Sequence, residues 1–160
     1  MASYDYRHLA NVLAEAVESA TDCKLIESNS LGKQLTYPFC TYTFTSPYIA
    51  ITKDIVEEEL FEATISLTWR TESSLDVLNL ANKANKYFRS FAGRESLRSK
   101  GVVIVSVGAT GPRDTLFTLD YERTAGLDLR LRLKDSFIDE TIENIDSVIV
   151  SNVTLESQEA

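Results

Sequence analysis

Histidine is nearly absent: His8 is the single one in 160 residues, and that scarcity removes several chemistries at once. A zinc site needs several convergent ligands, and a Ser/His/Asp triad needs a histidine at its centre. His8 sits instead on a helical stretch beside Arg7 and Asn11 and reads as a surface residue. Cysteine is almost as scarce. Cys23 and Cys40 fall on separate predicted strands without metal-like spacing and read as reduced core thiols. No apolar run approaches a membrane span, and Met1 to Ala20 alternates charged and apolar residues instead of carrying a signal peptide's apolar block. The expectation is a protein made and kept in the cytoplasm, with no membrane partner. Basic charge is in deficit too, with 16 Lys and Arg against 24 Asp and Glu. The resulting formal charge of −8 argues against tight nonspecific binding to nucleic acid, which depends on neutralising phosphates.

What is present is an ordinary globular composition, 44% hydrophobic and 25% charged, in a chain long enough for one domain that needs neither disulfide nor metal. Leu9, Val12, Leu13, Ala16, Val17 and Ala20 recur at helical spacing, so Tyr6 to Ala20 is predicted as an amphipathic helix capped by Asp5. Cys23 to Ile26 reads as a short strand. Phe39 to Thr45 alternates Cys40, Tyr42 and Phe44 with three threonines, as a half-buried strand does. A longer strand from Val56 to Arg70 buries Phe61, Ala63, Ile65, Leu67 and Trp69, and Ser46 to Ile55 reads as the connection between these two strands. Ser73 and Asp76 mark the start of a second helix, apolar along Val77, Leu80, Ala81, Ala84, Phe88 and Phe91 and ended by Gly93.

A strand from Val102 to Val107 and the turn-rich GATGPRD follow, and then the most patterned stretch, Arg113 to Ser136. Its alternation predicts a hairpin with Phe117, Leu119 and Tyr121 on one strand and Leu127, Leu129, Leu131 and Leu133 on the other. Thr124, Ala125 and Gly126 would form the loop, with Gly126 at positive φ, and Asp120 would face Arg130 on the outer side. A last strand near Ser147 to Val153 completes a domain spanning 1–153, and 154–160 is a polar tail. Helix, three strands, helix, four strands is an α+β order: a single domain, a mainly antiparallel sheet and two helices packed on one face.

Two segments carry a family resemblance. YERTAGLDLRLRL resembles the closing hairpin of the neck or tail terminator proteins of long-tailed bacteriophages, and YPFCTYTFTSPY resembles their early strand and loop. The order of elements between them also fits, so the resemblance covers most of the chain. It implies a structural virion protein of the tail and neck, assembled in the host cytoplasm, with no cofactor and no enzymatic activity. It implies a homo-oligomer, a hexameric ring that caps the tail tube and forms the head-tail joining surface. Its partners would be the tail-tube protein and the head-tail connector protein, and DNA would pass through the lumen without specific binding. The alternatives are a head-completion or connector protein of the same virion, or a small-molecule-binding α+β domain with a pocket between Trp69, the second helix and the sheet.

The remaining motifs supply contacts rather than chemistry. GATGPRD follows a strand but lacks the Lys and Ser/Thr of a phosphate loop and leads into a strand, so it reads as a tight turn. Glu57, Glu58, Glu59 and Glu62 form the densest acidic cluster, yet consecutive residues of a strand point in alternate directions and cannot converge on a cation. More acids gather at Asp139, Glu140, Glu143 and Asp146, while Arg89, Arg94, Arg98, Lys100 and Arg113 form a basic group after the second helix. Separated patches of opposite sign suit a head-to-tail contact. The expected interface residues are Tyr48, Ile49 and Ile51 of the connection, the acids Glu57, Glu58 and Glu59, and the bases Arg94, Arg98 and Lys100.

Overall fold

Asp5 starts the fold: its carboxylate accepts the Arg7 N–H at 2.9 Å and satisfies a donor that the first helical turn leaves open. In the computed structural model, which describes residues 2–30, 32, 35–115 and 121–139, α1 (Tyr6–Thr21) follows with Leu9, Val12, Leu13, Ala16 and Val17 on its buried side. Phe117, Leu119 and Asp120, the strand near Ser147 to Val153, the acids Glu140, Glu143 and Asp146 and the tail lie outside the described residues.

β1 (Leu25–Glu27) runs parallel to β2 (Phe39–Ala50), which doubles back into antiparallel β3 (Leu60–Thr71). Two helices, α2 (Ser74–Arg89) and α3 (Phe91–Arg98), lead to β4 (Val103–Val107), the short β5 (Gly111–Pro112) and β6 (Arg123–Lys134). The sheet order is β1-β2-β3-β6-β4, with β5 paired to β6 beside β4. Every pairing except β1 with β2 is antiparallel, so the described residues form an α+β fold with one mainly antiparallel sheet.

The core lies between the helices and one face of β3 and β6. Register places Phe61 opposite Leu133, Ala63 opposite Leu131, Ile65 opposite Leu129, Leu67 opposite Leu127 and Trp69 opposite Ala125, and all ten are buried. The strand period of two sends the intervening residues to the other face. There Arg130 and Arg132 both bond the Glu62 carboxylate, and Arg113 reaches Ser66, Thr68 and Asp128. Cys23 and Cys40 are free thiols within the core, and burial raises both pKa values.

Three expectations need correction. Thr124, Ala125 and Gly126 form no loop: they lie inside β6, opposite Arg70, Trp69 and Thr68 of β3. Gly126 is there for closeness rather than for a turn, since a Cβ would stand 2.0 Å from the Leu67 carbonyl oxygen and 2.9 Å from Arg113 Nε. Arg130 accordingly faces Thr64 and Ser106.

The supposed connection from Ser46 is strand as far as Ala50, because β2 absorbs Pro47 at a sheet edge through shifts of register between Phe44 and Ser46 and between Ser46 and Ile49. Gly93 does not end the second helix. Ser90 ends α2 and caps α3, its hydroxyl oxygen accepting the Gly93 N–H at 3.1 Å, so the described residues form three helices rather than two. Gly93 lets α3 fold tightly against α2, for a Cβ would meet the Tyr87 carbonyl oxygen at 2.1 Å.

Candidate subunit interfaces

At one end of the sheet, residues 51–59 join β2 to β3, and a polar cluster holds them down. The Tyr48 ring stacks on buried Phe61, centroids 4.1 Å apart and planes 10° apart. Its hydroxyl lies between the carboxylates of Glu59 and Asp135, the latter at 2.9 Å, and Thr52 donates to the other Glu59 oxygen at 2.9 Å. Hydrogen bonds from Tyr48 and Thr52 keep the Glu59 carboxyl below its ordinary range, while burial, followed by the two carboxylates, pushes the Tyr48 hydroxyl well above its own. Main-chain bonds from Glu58 to Phe137 and from Asp135 to Glu59 tie the segment after β6 to this connection.

The predicted acidic cluster disperses here. Glu57 accepts the Asp139 N–H at 3.0 Å, Glu58 pairs with Lys134 at 3.0 Å, Glu59 turns inward and Glu62 serves the two arginines of β6. With the carboxylates so occupied, the outward character of the tip is apolar: Ile51, Ile55, Val56, Leu60 and Ile138 are each roughly half exposed or more. Ile49 is half-buried, and Tyr48 stacks on the core while staying 39% exposed.

The second surface lies along α3 and β4. Arg94, Arg98 and Glu95 of α3, with Phe91, Val103 and Ile104, line a groove of about 310 Å³, and Arg89 and Arg94 flank a smaller one with Val105. Phe91, expected in the buried stripe of the second helix, is 82% exposed, because the break at Ser90 turns it outward. Of the five predicted bases, Arg89, Arg94 and Arg98 gather at these grooves. Lys100 is drawn to Glu15 on α1, and Arg113 lies on the polar sheet face with Asp128.

His8 is exposed, its Nε2 3.0 Å from the Lys100 carbonyl oxygen. Trp69, expected to border a pocket, is wholly buried, and its indole N–H donates to Thr21 Oγ1 at 3.2 Å. A cleft of about 560 Å³ opens elsewhere, between Tyr37 and the start of α2, with Asp76 and Lys83 among its mixed lining.

Reasoning from sequence missed Ile55, Val56, Leu60 and Ile138 at the tip and Phe91, Val103 and Val105 at the groove. The signal for the first group was a set of apolar residues outside any strict alternation. Phe91 keeps the helical spacing of α2, which ends before it at Arg89.

Comparison with known proteins adds a family to this geometry. The model of a family described as phage neck terminator protein matches residues 8–157. No curated protein matches the chain. Among solved structures, one chain aligned over 95% of its length with 84% of this one shows 15% identity and a TM-score of 0.46, too loose a likeness to bear on function.

Proposed function

Because the chain belongs to the phage neck terminator protein family, we propose that it closes the tail as a ring of identical subunits, most simply six, seated on the last ring of the tail tube. The family is structural, and the chain is a component of the virion neck that associates with other virion proteins. In this reading one ring face pairs with the tube. The other face offers no site for a further tube subunit, so growth stops there and a surface is left for the head-tail connector protein. Assembly takes place in the host cytoplasm, and DNA crosses the lumen without being held. The formal charge of −8 supports that last point, since tight binding to phosphate depends on an excess of cations.

The observation that carries the reading is the family match across nearly the whole domain. Two further features support subunit contact: the tip around Ile51, with Glu57 and Glu58 at its surface and Glu59 turned inward beneath it, and the basic surface around Arg94 and Arg98, with Lys100 at its margin. The test is the molar mass in solution by light scattering over a concentration series, alone and with tail-tube protein. A discrete ring mass is expected. A chain that stays at the protomer mass at every concentration, and also with tube protein, would remove the ring.

A further inference from the structure

The two edges of the sheet are defended unequally. On the β2 side, β1 covers Cys40 to Tyr42, Pro47 removes a donor, and two shifts of register bend the rest. Short covering strands, proline and bulges are the means by which proteins blunt an edge against pairing. On the β4 side there is a single shift, after Ile104, and no covering strand among the described residues. Its flank is apolar, with Val103, Val105 and Phe91 all exposed. A bare edge beside exposed apolar side chains is an association site unless something covers it.

Arg98 is paired with Glu95 at 3.5 Å, and Arg94 beside them leaves the groove with an excess of positive charge, which specifies what would fit: an apolar surface carrying negative charge. The same chain has one. The β2–β3 tip presents Ile51, Ile55 and Val56, and although Glu59 and Asp135 turn inward and Glu58 pairs with Lys134, Asp54 and Glu57 remain exposed beside these apolar side chains. We infer that the β2–β3 tip of one copy docks in the α3/β4 groove of the next, its isoleucines and valine against Phe91 and Val103, with Asp54 and Glu57 facing Arg94 and Arg98. The two surfaces differ, so the contact is head to tail and closes into a ring when its rotation permits. This rests on the ring reading and names the surfaces that build it, leaving the rest of the molecule to the tube and connector.

The test uses two charge-reversed proteins, Asp54→Lys with Glu57→Lys, and Arg94→Glu with Arg98→Glu. Each alone should need about tenfold more protein to assemble, corresponding to ~1.4 kcal/mol of lost contact energy. Mixed in equal amounts they should regain the unmodified mass, because a reversed tip then meets a reversed groove and an unmodified tip an unmodified groove, alternating around an even-membered ring. Ile55→Ser changes no charge and should weaken assembly as well, which keeps the apolar half of the contact testable if a reversed protein folds poorly. Reversed proteins that assemble as the unmodified chain does, or a mixture that stays as defective as its components, would overturn the docking while leaving the ring intact. An unmodified chain that never forms a ring, even with tube protein, would remove the ring reading itself.

Discussion

The paired strands β3 and β6 and the tip that joins β2 to β3 draw on similar apolar residues and use them in opposite ways. In the pair, a strict period of two puts Phe61, Ile65 and Leu67 on the same side as Leu133, Leu129 and Leu127, where the helices cover them completely. In the tip, Ile51, Ile55 and Val56 follow no period, and about half of each side chain remains in water. Alternation lets a chain hide its own apolar surface, and where it stops the surface is left for another molecule. Stability and assembly should therefore be separable by mutation, the first residing in the strand pair and the second at the sheet's margins.

The largest loss of stability should follow Gly126→Ala. The added Cβ cannot coexist with the Leu67 carbonyl oxygen, so β6 must draw away from β3 at the centre of the sheet, at a cost of about 3 kcal/mol. Urea unfolding would measure it, and a wild-type midpoint would show that the close approach is not required. Tyr48 belongs to both regions, with its ring on the core and its hydroxyl at the tip. Tyr48→Phe keeps the stacking and removes the donor shared by Glu59 and Asp135, so about 1 kcal/mol should be lost by the same measurement.

Much of the buried region was legible in the residues themselves. The Asp5 cap, the stripe of α1 and the apolar row of β3 follow from periodicity and capping chemistry alone. Two of the errors share a cause, a glycine taken for a break. Ala125 continues the row Leu127, Leu129, Leu131 and Leu133 by one more step of two, which marks Gly126 as an interior strand residue on the opposite face. Pro47 sits on an edge strand, where a missing N–H costs little. Gly93 lies in α3, one of the two glycines whose Cβ would strike a backbone oxygen, and that crowding depends on three-dimensional approach, which no local pattern encodes. The basic group was half legible: three of the five side chains gather because α3 and β4 are adjacent, whereas Lys100 and Arg113 turn to carboxylates distant in sequence.

Glu62 sharpens the contrast through pH. Hydrogen bonds from Arg132 and Arg130 lower its pKa in the folded state, so it contributes stability above its ordinary value of 4.5, and this contribution is lost as the pH falls through that value to the depressed folded one. Glu62→Gln should flatten the acid limb of the melting curve relative to the unmodified chain. Curves that remain parallel down the acid limb would show the arginine pairing to be energetically neutral. The smallest change in stability belongs to Phe91→Ser, within about 0.5 kcal/mol, because its ring is already in solvent. The same substitution should impair assembly in light scattering, and a large drop in the protomer's melting temperature would instead place Phe91 in the core.

Electron microscopy of tails from a phage lacking this gene tests the central claim, that the protein ends tail growth, most directly. The account predicts tails of abnormal and variable length, restored to uniform length when the protein is supplied from a plasmid. Tails of normal, uniform length that fail to attach to heads would contradict it and make the protein a connector instead.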